Sequence, residues 1–204
     1  MSVDYLSKFF QETVTVAEGL DVQLVDRMVE RLARLRSEEG RLFLCGVGGS
    51  AANCSHAAND FRILVGIDAS TPVDNVAELT ARTNDDGWET TFTSWLRTSR
   101  ASARDVLFVL SVGGGSREHN LSVNLVTAID EAKARGMDVL GIVGRDGGYT
   151  KQRGDIVLVV PTVNPAHVTL HAEAFQAVVW HAMLGDPRLR SKPTRWERAD
   201  AARP

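Results

Sequence analysis

Residues 41–60 read RLFLCGVGGSAANCSHAAND. Leu42, Phe43, Leu44 and Cys45 form a short apolar run without polar alternation, as a strand buried on both faces requires. Gly46, Gly48 and Gly49 then punctuate the chain, and Ser50 opens a stretch with helical character. Strand, glycine turn and helix in that order make the first half of a βαβ unit. Similar apolar runs recur at 105–112 (DVLFVLSV), at 138–143 (DVLGIV) and at 155–160 (DIVLVV), and a fifth, weaker one is placed at 69–76. Helical patterns at 50–65, 88–102, 117–135 and 168–184 supply the covering layers. The alternation predicts an α/β fold with a five-stranded parallel sheet, doubly wound and flanked by helices.

Ahead of this stretch, Leu6, Phe9, Phe10, Val14 and Val16, and then Val22, Leu24, Val25, Met28, Val29, Leu32 and Leu35, fall at helical spacing. Gly19 and Asp21 mark the break between two helices. Residues 1–38 are therefore expected to form a helical segment that packs on the domain or on a neighbouring subunit. Residues 39–186 form the domain itself. Residues 187–204 (PRLRSKPTRWERADAARP) read as a polar, loosely docked or mobile tail.

At 204 residues and 44% hydrophobic content the chain can bury one sizeable core, and two full domains would be cramped. Its 23 basic and 26 acidic side chains leave a net charge of -3, which is no footprint of a nucleic-acid binder. Cys45 and Cys54 cannot make a disulfide framework and read as reduced thiols. The opening MSVDYLSKFF lacks a basic segment followed by an apolar one, and no apolar run reaches membrane-spanning length. A cytoplasmic protein without membrane partners is expected.

In open parallel sheets, ligands bind beyond the carboxyl ends of the strands. Two such ends carry glycine and serine: Gly46-Val47-Gly48-Gly49-Ser50, and Ser111-Val112-Gly113-Gly114-Gly115-Ser116, each read as leading into a helix. Glycine lets backbone N–H groups approach an anion, and a helix N-terminus adds positive partial charge. The alternative for either loop is a tight turn whose serines cap a helix. No Walker motif is present, and Gly46-Val47-Gly48-Gly49-Ser50-Ala51 lacks the final glycine of a dinucleotide fingerprint. A compact sugar phosphate fits better than a nucleotide, and no nucleotide or redox cofactor is expected.

The stretch from Gly46 to Asp60 resembles the G-N-G-G-S-x-x-x-x-x-H-x-x-x-E signature of phosphoheptose isomerases, members of the sugar isomerase (SIS) domain superfamily. Ser111 to Ser116 (SVGGGS) stands where that family has S-T-S-G-N-S, Thr83-Asn84-Asp85 resembles its G-N-D turn, and Gly144 to Gly148 (GRDGG) its G-K-D-G-G. The resemblance implies a single SIS domain with a flavodoxin-like sheet and an isomerase that interconverts sedoheptulose 7-phosphate and D-glycero-D-manno-heptose 7-phosphate. It implies zinc, a homotetramer and a heptose phosphate as partner. Carried over position by position, Asp60 is the catalytic base and His181 the acid. Gly49, Ser50, Asn53, Asp85, Ser111, Gly113, Gly114 and Ser116 bind the substrate or its phosphate. His56, Asp60, Glu173 and His181 hold the metal. A second alignment puts His171 and Gln176 at the C-terminal positions in place of Glu173 and His181.

His56 and Asp60, four apart on a helix, share a face. Glu173 and His181, eight apart, differ by roughly 80° around the helix. Each has a plainer reading: His56 as a packing residue, Asp60 as an ion-pair partner of Arg62 or Arg82, His181 as a core or interface residue beside Trp180. Asn59 and His171 read as structural, and His119 and His167 have no clear role. The chain departs from the family at Val47, Val112, Gly113 and Gly115, where side-chain donors are lost, and at Asp60, one methylene shorter than glutamate. A misplacement of about 1 Å can cost on the order of 100-fold in rate. The rival to the isomerase is a non-catalytic SIS module that senses a sugar phosphate or bridges proteins.

Overall fold

In the computed structural model, which describes residues 2–197, five strands form one parallel sheet. They are β1 (Arg41–Cys45), β2 (Asp68–Ser70), β3 (Val106–Ser111), β4 (Asp138–Val143) and β5 (Ile156–Val159), in the order β2-β1-β3-β4-β5. The helices are α1 (Ser2–Glu18), α2 (Val22–Ser37), α3 (Gly49–Asp60), α4 (Val76–Asp86), α5 (Thr91–Thr98), α6 (Val123–Ala134), α7 (Gly148–Arg153) and α8 (Val168–Gly185).

Successive strand residues point to opposite faces, which sorts the core into two layers. Leu42 and Leu44, with Val106, Phe108, Leu110, Leu140 and Ile142, pack against Met28, Leu32, Ala57, Phe61, Phe175 and Trp180 of the α2, α3 and α8 side. Phe43 and Cys45, with Leu107, Val109 and Val139, pack against Phe92, Leu96, Leu125 and Ile129 of α5 and α6. Because β1 lies between β2 and β3, the chain runs outward to β2 and then returns past β1 to β3. The crevice between the carboxyl ends of β1 and β3 is thus the topological switch point, where ligands bind in this class of sheet.

The break between the first two helices falls where the sequence placed it. Asp21 caps α2 by accepting from the amides of Gln23 and Leu24. Helix α2 buries its apolar stripe in the core, and Val16 of α1 joins it, whereas Leu6, Phe10 and Val14 of α1 stay exposed. Beyond α8, Leu189 is fully buried, Ser191 donates to the Leu64 carbonyl at 2.9 Å, and Arg36 reaches the carbonyls of Arg188 and Leu189. The start of the tail is therefore docked; its residues 198–204 lie outside the described ones.

Three local expectations are corrected. The weak strand at 69–76 is only Asp68–Ser70, and Val76 instead opens α4. Thr83, Asn84 and Asp85 are the last turn of that helix rather than a free turn; it stops at Gly87, whose φ of 87° suits glycine. Residues 117–122 are a loop, not the start of a helix: Ser116 and Leu121 pair across it as an isolated antiparallel bridge, and α6 begins at Val123.

Candidate active site

The turn after β1 brings α3 against α8. Gly48 takes φ 65°, which delivers the chain into α3, and a Cβ on Gly49 would lie 2.4 Å from the Glu173 carboxylate of α8. The glycines therefore allow close approach as well as a turn. Ser50 is buried, and its hydroxyl accepts from Gln176 Nε2 at 3.0 Å. Asn53 Nδ2 donates to both Gln176 Oε1 and the Glu173 carbonyl, each at 2.9 Å. Gln176 is the hub of this network; the signal for it was the second alignment of the C-terminal helix.

The turn after β3 is held from the neighbouring turn. The Ser111 hydroxyl accepts from the Gly114 amide at 3.0 Å, and the Gly114 carbonyl accepts from the amide and hydroxyl of Thr150. Tyr149 N–H donates to the Gly115 carbonyl at 2.8 Å. Ser116 uses its hydroxyl to accept from the His119 amide at 3.2 Å. Since α6 starts only at Val123, its N-terminus does not follow Ser116 directly, and the anion-binding capacity of this loop rests on the loop itself. Gly113, Gly115 and Ser116 line a cavity of about 560 Å³ together with Arg145, Asp146 and Tyr149. Arg145 is a residue that sequence reasoning missed; a lone cation in the Gly144-to-Gly148 turn was its only signal.

At the far end of α3, Asp60 meets two imidazoles. Its Oδ2 lies 3.4 Å from His56 Nε2 and 3.7 Å from His181 Nε2. His181 Nδ1 donates to the Ala177 carbonyl at 2.8 Å, which orients the ring with Nε2 toward Asp60. Trp180 is packed edge-on to His56 and against His181, which steadies both rings. The plainer ion pairs are not made: Arg62 goes to Asp68 and Arg82 to Glu78. Asp60 is mostly buried, while the side chains of His56 and His181 are 57% and 50% exposed.

These three ligand atoms lie within 4.8 Å of one another. Bonds of 2.0–2.1 Å at tetrahedral angles put ligand atoms about 3.3 Å apart, close to the separations found here. Two imidazoles and a carboxylate with a further position open fit a divalent ion such as zinc. Glu173 is not in this group. Eight residues of helix set it about 12 Å from His181 along the axis, and its carboxylate rests against Gly49. Asp85 is exposed on α4 and accepts from Asn84. Cys45 and Cys54 are free and buried, and burial pushes both thiols well up, so neither serves as a nucleophile.

A family model described as SIS domain matches residues 8–144. The phosphoheptose isomerase of Chlorobium phaeobacteroides is 34% identical over 171 residues, which cover 76% of this chain and 71% of the relative. The chain belongs to the phosphoheptose isomerase family of SIS domains. The phosphoheptose isomerase of Haemophilus ducreyi is 29% identical, covering 78% of each chain. Among solved structures, phosphoheptose isomerase GmhA from Neisseria gonorrhoeae superposes with a TM-score of 0.78 at 27% identity, covering 90% of this SIS domain chain and 97% of its own. The fold is also that of a Francisella tularensis phosphoheptose isomerase, with a TM-score of 0.78 at 21% identity over 90% of this chain and 96% of that one. Among the described residues, no helix is long and apolar enough to cross a membrane.

Proposed function

We propose that this SIS domain is an aldose–ketose isomerase that interconverts sedoheptulose 7-phosphate and D-glycero-D-manno-heptose 7-phosphate. The observation that carries the reading is Asp60 Oδ2 facing the Nε2 atoms of both His56 and His181. A sensor of sugar phosphate needs a phosphate cradle but no such acid–base pair. The comparison with relatives named phosphoheptose isomerase supports the same choice.

In this reading the phosphate lies in the cavity lined by Gly113, Gly115 and Ser116, taking hydrogen bonds from the Gly113 amide and the Ser116 hydroxyl, with the Arg145 guanidinium as counter-charge at the cavity wall. Gly114 shapes the turn, its amide already given to Ser111. Ser111 supports that loop from below. Gly49, Ser50 and Asn53 shape the β1 side of the crevice, and Asp85 approaches the sugar hydroxyls. Asp60 stands at the opposite end of α3 from Gly49, about 16 Å along the helix, so a sugar held in one chain's crevice would meet the Asp60 and His181 of a neighbouring copy. There Asp60 removes the proton from the carbon next to the carbonyl, giving a cis-enediol, and returns it to the neighbouring carbon. His181 moves a proton between the two oxygens through Nε2, the nitrogen left open by its bond to Ala177. The two carbons exchange oxidation state internally, so no redox cofactor takes part. His56, Asp60 and His181 would hold zinc, and Glu173, about 12 Å along α8 from His181, stands too far off to join them. Bound there, the ion would act as a Lewis acid on developing oxygen charge.

The exposure of His56 and His181 leaves the acid–base pair open to water, which weakens the electrostatics of proton transfer. A homotetramer in the cytoplasm, with a neighbouring copy over this face and over the apolar side of α1, would close it. The test is conversion followed by NMR. Sedoheptulose 7-phosphate should yield the heptose phosphate, whereas unphosphorylated sedoheptulose should turn over far more slowly. No conversion of the phosphate ester, with or without zinc, would reject the reading.

A further inference from the structure

Away from this site, α1 and the start of α8 bring together three groups that are distant in sequence. Glu12 Oε2 lies 2.7 Å from His167 Nδ1 and 3.0 Å from His171 Nε2, and all three ligand atoms fall within 4.8 Å of one another. We propose that Glu12, His167 and His171 form a second transition-metal site, with zinc the ion that suits its donor set, which pins α1 to the N-terminal end of α8.

Two imidazoles and one carboxylate, with a fourth position for water, make a zinc donor set. Tetrahedral ligand atoms sit about 3.3 Å apart, so the two short separations would need to open by only about 0.3–0.6 Å. The outer partners that orient metal ligands are already present. The second oxygen of Glu12 accepts from Asn164 Nδ2 at 2.7 Å, and Asn164 is itself fixed by the Ala166 amide donating to its Oδ1 at 3.0 Å. His167 turns Nε2 toward the Tyr5 hydroxyl at 3.5 Å. His171 is 3% exposed and stacks on Phe9 with ring centroids 4.7 Å apart, which keeps bulk water from its side of the cluster.

The hydrogen bonding of His167 also points to an ion. Its Nδ1 faces Glu12 Oε2, which only accepts, and Asn164 Nδ2 at 3.0 Å, which only donates. One nitrogen cannot serve both with a single proton state. With the proton on Nε2, toward Tyr5, the Nδ1 lone pair confronts the carboxylate, and a cation between them turns that repulsion into coordination. The site is separate from that at Asp60. His171 and His181 are ten residues apart on α8, about 15 Å along the axis, so one ion cannot serve both.

Equilibrium dialysis of the full chain against zinc, with the bound metal counted by atomic absorption, tests the proposal. A chain carrying His56→Gln and His181→Gln keeps this cluster intact. It should retain one equivalent, and its Tm should rise by about 5–10 °C at a hundredfold excess of zinc over Kd. The pair His167→Gln and His171→Gln should retain one equivalent fewer than the unaltered chain. The first variant retaining no zinc, with no shift in Tm, overturns the proposal, and so does undiminished retention by the second. The decisive measurement uses the unaltered cluster and so does not depend on whether its own variants fold.

Discussion

Asp60 has one methylene fewer than the glutamate of the family signature, yet its carboxylate stands 3.4 and 3.7 Å from the two imidazole nitrogens. The shorter side chain still reaches its partners, because α3 delivers it directly opposite His181. The residue whose loss should tell most about proton transfer is therefore His181. With His181→Gln, kcat should fall by about 10²–10⁴-fold, the usual worth of general acid–base catalysis, while KM changes little; steady-state kinetics check both. That Asp60 and His181 meet was legible only through the family resemblance, since 121 positions separate them and no local periodicity links them. The i, i+4 spacing of His167 and His171 was visible too, but Glu12, which unites them, sits on another helix with nothing in its own surroundings to mark it.

At the level of elements, the turn after β3 is held by the turn after β4. Gly114 has φ 71°, and a Cβ there would lie 2.0 Å from the Gly147 carbonyl oxygen. Gly114→Ala must therefore strain the backbone and push the two turns apart. A loss of about 2–4 kcal/mol is expected in denaturant titration. KM for the phosphate ester should rise more than kcat falls, because the cavity beside Arg145 loses its shape. The buried strands were readable from unbroken apolar runs, β1 and β4 to the residue. Helix α4 was not, because none of its residues is buried and it shows no apolar stripe. The extension of the β3 turn to residue 122 also escaped notice, since the Ser116–Leu121 bridge is a tertiary pairing without a sequence signature.

Across the whole molecule, the order β2-β1-β3-β4-β5 sets both glycine turns on adjacent strands at the switch point, which follows from βαβ handedness. The lower end of the same sheet is held by Asp105. Its carboxylate accepts from the amides of Arg41 and Ser102 and pairs with the Arg41 guanidinium at 2.8 Å. Burial raises its pKa, but these bonds outweigh burial and leave it below the ordinary carboxylate value. A depressed folded-state pKa stabilises the fold above the unfolded-state value near 4 and ceases to do so as the pH falls through the folded-state value. Asp105→Asn should cost about 2–3 kcal/mol at pH 7, less than a fully buried pair because Arg41 is a third exposed. The cost should shrink below pH 4, as urea titrations across pH 2–7 would show. Light scattering should find a tetramer, with Phe10→Glu on the exposed face of α1 shifting it toward smaller species. The most direct test of the acid–base site is to incubate the chain with sedoheptulose 7-phosphate in deuterated water, with and without zinc, and follow the label by NMR. Deuterium should enter at C1 of the ketose and C2 of the aldose with the unaltered chain, and not with Asp60→Asn. No incorporation by the unaltered chain under either condition would contradict proton transfer through Asp60.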